Sequence, residues 1–157
     1  MLSQTAEHAL RAVLYLAQHG REAPVPTDRV AAALGAPRNY LGKTLNALAG
    51  AGLVEGVRGP CGGYRLLVDP ETTSVAEIIQ TVEEPTRRTV CLLGDRPCVE
   101  TNPCQAHATW CALGEQTDAL LSGTTLATLL GPAEDGRGAF AESTKDTDPP
   151  KPLRSTS

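Results

Sequence analysis

A chain of 157 residues, 41% hydrophobic but only 3% aromatic, suits one domain with an appendage, its core built from Leu, Val and Ala. No run approaches the roughly 18 apolar residues of a membrane span, and the N-terminal apolar segment carries Glu7, His8 and Arg11 with no basic leader or cleavage site, so a cytoplasmic protein with reduced thiols is expected. The formal charge of −4 divides unevenly, with seven Arg/Lys against five Asp/Glu in residues 1–70 and seven against thirteen in the remainder; the front half permits phosphate contacts, while the acidic remainder argues against indiscriminate nucleic-acid binding.

Residues 3–18 read as a helix. Ser3 or Thr5 can cap it, and Ala6, Ala9, Leu10, Val13, Leu14 and Ala17 form an apolar stripe at helical spacing. Glu7 falls in its first turn, where the helix dipole stabilises a carboxylate. Thr27 is placed to cap a second helix whose Val30, Ala31 and Leu34 face inward and which Gly35 ends. Pro37 suits the first position of a third helix, because it has no N–H to satisfy there. In that helix Leu41, Leu45 and Leu48 recur at i, i+4 and i+7, and Asn39, Lys43 and Asn46 recur with the same spacing about 160° away. One face is dry and the other offers amides and cations, with Arg38 beside them in the first turn. Helix, tight turn and polar-faced helix is the helix-turn-helix arrangement, whose second helix enters the major groove by its N-terminal residues. A solvated surface on an ordinary helical pair would give the same local pattern.

The segment GLVEGVRGPCGGYRLLVD separates these readings. It predicts strands at Leu53–Val57 and Tyr64–Val68 around a glycine-rich tip, a hairpin directly after the candidate recognition helix. Gly59, Gly62 and Gly63 permit close backbone approach, and Arg58 is the charge at the tip. A hairpin in this position reads as a wing lying along DNA, with Arg58 in a minor groove where narrow A·T tracts concentrate negative potential. Cys61 at the tip reads as a small tolerated side chain, or as an oxidisable thiol if its pKa is lowered.

Ser74 and Glu77 form a capping box ahead of Val75, Ile78, Ile79 and Val82, a helix that Pro85 stops. The stretch CLLGDRPCVETNPCQAHATWC follows, from Cys91 to Cys111, holding four of the five cysteines. Six residues separate Cys91 from Cys98 and five separate Cys98 from Cys104, and Pro97 and Pro103 each precede a cysteine. Clustered thiols in a reducing compartment read as metal-binding or redox-sensing rather than as disulfides. From Cys104 to about Leu121 the chain reads as helical again, and Trp110, Leu113, Thr117, Leu120 and Leu121 form a seam for a second copy or for intramolecular packing. Thr124 or Thr125 starts a short apolar turn, and beyond Gly131 the composition shifts to that of a disordered tail, 132–157.

The stretch AGLVEGVRGPCGGYRL after a helix-turn-helix, followed by a three-cysteine loop and a helix, resembles the Rrf-two family of winged-helix regulators, with its IscR-like and NsrR-like branches. The resemblance runs from residue 1 to about residue 131. Arg38, Asn39 and Lys43 match the pattern of NsrR-like members, while the six-residue first cysteine spacing belongs to neither branch in particular. It implies an iron–sulfur cluster, 2Fe–2S or 4Fe–4S, on Cys91, Cys98 and Cys104, with the last coordination position left to a weaker ligand. Zinc remains the competing inorganic reading, since Cys₃His is a common zinc set.

Three residues compete for the fourth position. His107, three residues after Cys104, would lie on the same helical face ~4.5 Å along the axis, and resembles the histidine ligand of IscR. Cys111 would lie ~10.5 Å along, too far to share a cluster edge easily. Glu7 matches the position from which NsrR-like proteins supply an acidic ligand from the partner's first helix.

These observations give a mostly α fold with a small β-hairpin wing: a winged helix-turn-helix domain over 1–70, then a cysteine loop and a long C-terminal dimerisation helix over 71–131. The expected function is a homodimeric transcription regulator, a repressor, binding double-stranded DNA at a pseudo-palindromic operator. Arg38, Asn39, Tyr40, Lys43, Asn46 and Arg58 are the candidate contacts, and a cluster responding to nitric oxide, redox stress or cluster supply sets the affinity. A cluster-free regulator of the same fold, controlled by zinc or a protein partner, is the alternative. An enzyme is not expected, because no Cys-x-x-Cys pair and no acid–base constellation accompany the thiols.

Overall fold

The computed structural model describes residues 2–83, 91–93 and 99–131. Its elements in chain order are α1 (Gln4–His19), α2 (Thr27–Leu34), α3 (Arg38–Gly50), β1 (Val54–Val57), β2 (Gly63–Leu66), α4 (Val75–Val82), α5 (His107–Gly123) and α6 (Leu126–Leu130). Tail residues 132–157, Pro85 and Cys98 lie outside the described residues.

Helix α1 is the axis of the fold, and α2, α3, α4, α6 and β2 all pack on it. The Ser3 hydroxyl accepts from the Ala6 N–H, which selects Ser3 over Thr5 as its cap. Ala12, Tyr15 and Leu16 are buried along with Ala6, Ala9, Val13, Leu14 and Ala17, a wider face than the expected stripe. The alanines explain it: Ala6, Ala9 and Ala12 have no bulk to hold neighbours off, so flanking helices close over the helix from several sides. Leu41, Leu45 and Leu48 of α3 meet Val13, Leu16 and Ile78 in one core.

The turns follow local chemistry. Thr27 opens α2 but does not cap it; Pro26 takes the cap position, with no side-chain hydrogen bond. Gly35, at φ 64°, ends α2 in a left-handed conformation that suits glycine. There the Ala36 N–H bonds the Ala31 carbonyl and the Gly35 N–H bonds that of Ala32, a Schellman closure. Pro37 is the cap of α3 rather than its first residue. Gly52, at φ 77°, closes α3 in the same way and hands the chain to β1.

β1 and β2 pair antiparallel with Val54 opposite Leu66, Glu55 opposite Arg65 and Val57 opposite Gly63, a shorter ladder than the sequence suggests. Tyr64 also bridges to Val25, with N–H···O bonds of 2.8 and 2.9 Å in the two directions. That third segment is why position 63 is glycine: a Cβ there would stand 2.3 Å from the Val25 carbonyl oxygen.

The Ser74–Glu77 capping box is formed in both directions at the start of α4. At its other end Glu83 accepts a 2.7 Å bond from the Ser3 N–H, placing a carboxylate on the positive end of α1. Helix α5 begins at His107, so Cys104 precedes it and is not on it. Only Leu121 of α5 is buried; Leu113 and Leu120 of the expected seam are 52% and 65% exposed. Helix α6, capped by Thr125, returns Leu126 to the core. No described helix is long and apolar enough to cross a membrane.

Candidate DNA-binding face and metal centre

Burying Leu41, Leu45 and Leu48 fixes the rotation of α3, and Arg38, Asn39, Lys43 and Asn46 are consequently exposed. The wing stands beside them, since the Tyr64 hydroxyl donates to Asn46 Oδ1 at 2.7 Å. This bond joins β2 to the polar face of α3 and pins the Asn46 amide. Arg38 forms an ion pair with Asp28 of α2 across the turn. Arg58 is exposed at the wing tip beside Gly59, whose φ of 120° only glycine adopts freely.

Tyr40 faces inward. Its hydroxyl donates to Thr5 Oγ1 at 2.8 Å, and its ring meets His8 edge-on with centroids 5.5 Å apart. The first turn of α3 is therefore tied to the first turn of α1. Sequence periodicity gives no hint of Thr5, His8, Asp28 or Tyr64 in these roles, because each pairing crosses between elements.

The cysteine stretch is described in two pieces. The sulfurs of Cys91 and Cys104, 13 positions apart, lie 3.4 Å from each other. Cys91 is buried and Cys104 half-buried. Two thiolates bound at 2.3 Å to one tetrahedral metal stand roughly 3.8 Å apart, so this pair needs little adjustment to share an inorganic centre. The His107 N–H donates to the Cys104 carbonyl at 3.0 Å, which holds the two residues in one turn at the entrance of α5. Cys111, one helical turn further, rests its sulfur 3.8 Å from His107 Nε2.

The site residues thus fall in separate places. Cys91, Cys104 and His107 belong to the loop and its exit. Glu7 is on α1, largely exposed, and pairs with Arg11 at 3.7 Å. Among the described residues no group of three metal-ligating side chains is preassembled, and Cys98 lies outside them. The donor set that is described, two soft thiolates and an imidazole, fits iron–sulfur or zinc chemistry.

Comparison with known proteins places this arrangement. The Rrf2 family, described as an iron-dependent transcriptional regulator, matches residues 2–132. The HTH-type transcriptional regulator IscR of Aliivibrio salmonicida (strain LFI1238) is 34% identical over 129 residues, covering 82% of this chain and 76% of its own length. IscR of Vibrio vulnificus (strain YJ016) is 34% identical over 133 residues, covering 85% and 79%. Among solved structures, T. potens IscR superposes with a TM-score of 0.67 at 28% identity, over 83% of this chain and 85% of that one. CymR (YrzC), the global cysteine regulator of B. subtilis, gives 0.69 at 26% identity, over 82% and 95%. These relatives are transcriptional regulators, not enzymes. With its helix-turn-helix, its wing and a family match spanning every described residue, the chain belongs to the Rrf2 family of winged-helix transcriptional regulators.

Proposed function

We propose that this regulator is a cytoplasmic homodimer whose affinity for a pseudo-palindromic operator is set by an iron–sulfur cluster, 2Fe–2S or 4Fe–4S, held by Cys91, Cys98 and Cys104. The observation that carries the reading is the approach of the Cys91 and Cys104 sulfurs to 3.4 Å in a chain with IscR relatives. His107, beside Cys104, and Glu7, from a partner's α1, are the candidates for the remaining position. The cluster would supply reactivity toward nitric oxide or oxidants, which alters or removes it. Dimerisation through α5 is supported by the exposure of Leu113 and Leu120 on a helix that buries only Leu121.

The chain's own contacts offer a route from loop to DNA. Glu83 holds the N-cap of α1, and Thr5 and His8 in that same end of α1 hold Tyr40 of α3. A change in the segment after Glu83 bears on α1 and, through Tyr40, on the first turn of the recognition helix. Tyr40 is then a positioning residue, and Arg38, Asn39, Lys43, Asn46 and Arg58 remain the candidate DNA contacts. In a dimer reading half-sites ~34 Å apart, a shift of an ångström or two costs register.

A second reading, zinc on the same thiolates with His107, is favoured by the donor set, which zinc accepts equally well. Purification without air separates the two. Visible absorption with iron and acid-labile sulfide, and a change in operator affinity on removing them, are expected; a colourless protein carrying zinc alone would overturn the cluster reading.

Lys43, exposed on the polar face of α3, is expected to neutralise a phosphate. Lys43→Ala should weaken binding to all sequences alike and lower the slope of log K against log salt by about one unit per half-site. An unchanged slope in a salt titration would remove Lys43 from the interface.

A further inference from the structure

Neither Cys91 nor Cys104 is disulfide-bonded in the structure. Their sulfurs, at 3.4 Å, are already close to the separation of a disulfide, ~2.05 Å, and small side-chain rotations close the difference. The two thiols differ in access: Cys91 is 7% exposed and Cys104 is partly exposed. Cys111 is engaged with His107 a turn inside α5, and Cys61 sits on the wing tip.

We propose that the metal-free chain is a peroxide-reactive dithiol in which Cys104 is oxidised first and Cys91 closes an intramolecular disulfide onto it. The Cys104 sulfur attacks one oxygen of a hydroperoxide and breaks the O–O bond, and its thiol proton passes to the departing oxygen. Cys104 becomes a sulfenic acid, and water or an alcohol leaves with the second oxygen. The Cys91 sulfur then attacks the Cys104 sulfur and expels its hydroxyl as water. Two thiols are oxidised by two electrons, and one hydroperoxide is reduced. A resolving thiol 3.4 Å away intercepts the sulfenic acid before a second peroxide can carry it to the irreversible sulfinic acid.

The inference deepens the metal-centre reading, because it makes the same two sulfurs mutually exclusive between metal and disulfide. A chain oxidised in this way would accept no metal at these positions until a reductant reopened the bond.

The test uses the full chain, freed of metal by a chelator, reduced, exchanged out of reductant and treated with a small excess of hydrogen peroxide. Intact mass after alkylation and peptide mapping should show a species two hydrogens lighter, linked Cys91–Cys104. The same link should form in Cys98→Ser and Cys111→Ser, and no intrachain link should form in Cys104→Ser. A link through Cys98 or Cys111, a link between chains, or a Cys104 sulfinic acid beside an unreacted Cys91 would each overturn the proposal. Because this assay contains no metal, its failure is distinct from failure of the cluster reading, which iron and sulfide analysis of air-free protein decides.

Discussion

Replacing Cys104 with alanine is expected to leave a folded protein that holds no cluster and binds its operator with a single affinity whatever the iron supply. Cys104 lies outside α5 and outside the core formed by α1, α2, α3 and α4, so its loss should leave that core intact. Its sulfur, however, is one half of the only thiol pair in contact among the described residues. If the cluster biases the dimer between two arrangements, it contributes a coupling typically of about 5- to 150-fold in affinity. In Cys104→Ala the ratio between protein purified with and without iron should fall to roughly twofold or less. Gel-shift titrations of both preparations measure it, and circular dichroism confirms the fold. A variant that retained the wild-type ratio of iron to sulfide would remove Cys104 from the ligand set.

The second large effect is on stability. Leu45 is fully buried at the centre of α3, against the core side of the recognition helix. Leu45→Ala deletes buried carbons and leaves a cavity, a change that costs about 2–5 kcal/mol. For a chain of this size that corresponds to a fall in Tm of roughly 4–20 °C. Operator binding should decline in step, since the same leucine sets the rotation that exposes Asn39, Lys43 and Asn46. A thermal melt within about 2 °C of wild type would mean that the cavity collapses, and that α3 is held mainly by its neighbours Leu41 and Leu48.

The features legible in the sequence are those that one element decides for itself. The leucine spacing of α3 gives both its buried and its polar face, Gly35 gives the end of α2, and Ser74 with Glu77 gives the start of α4; the structure has each of them. What the sequence hides is decided between elements. Tyr40 falls at the N-terminal end of α3, where helix-turn-helix logic assigns a DNA contact, yet its phenol turns to Thr5 and His8 on α1. Nothing local to either segment records that pairing. Gly63 is similar: its requirement comes from Val25, nearly forty positions earlier, lying flush against β2. The loop behaves likewise. Helical spacing places Cys104 on the helix with His107, whereas Pro103 and the Cys104–His107 turn delay the helix to His107, and Cys104 faces Cys91 from outside it. The grouping of thiols was readable in one dimension; which two touch was not.

The short return segment after α5 has a broader consequence. Val75 N–H bonds the Thr124 carbonyl, Leu126 N–H that of Thr73, and Ala127 N–H that of Pro70, so the chain re-enters the fold beside the point where α4 begins. Among the described residues between Glu83 and Thr124, α5 rejoins the base of α1 and α4 through Leu121, which packs with Ala6, Val75 and Ile79. Such a layout leaves the helix-turn-helix and wing on their own core while the exposed positions of α5 are free to change, as long as Leu121 keeps its contact with α1 and α4.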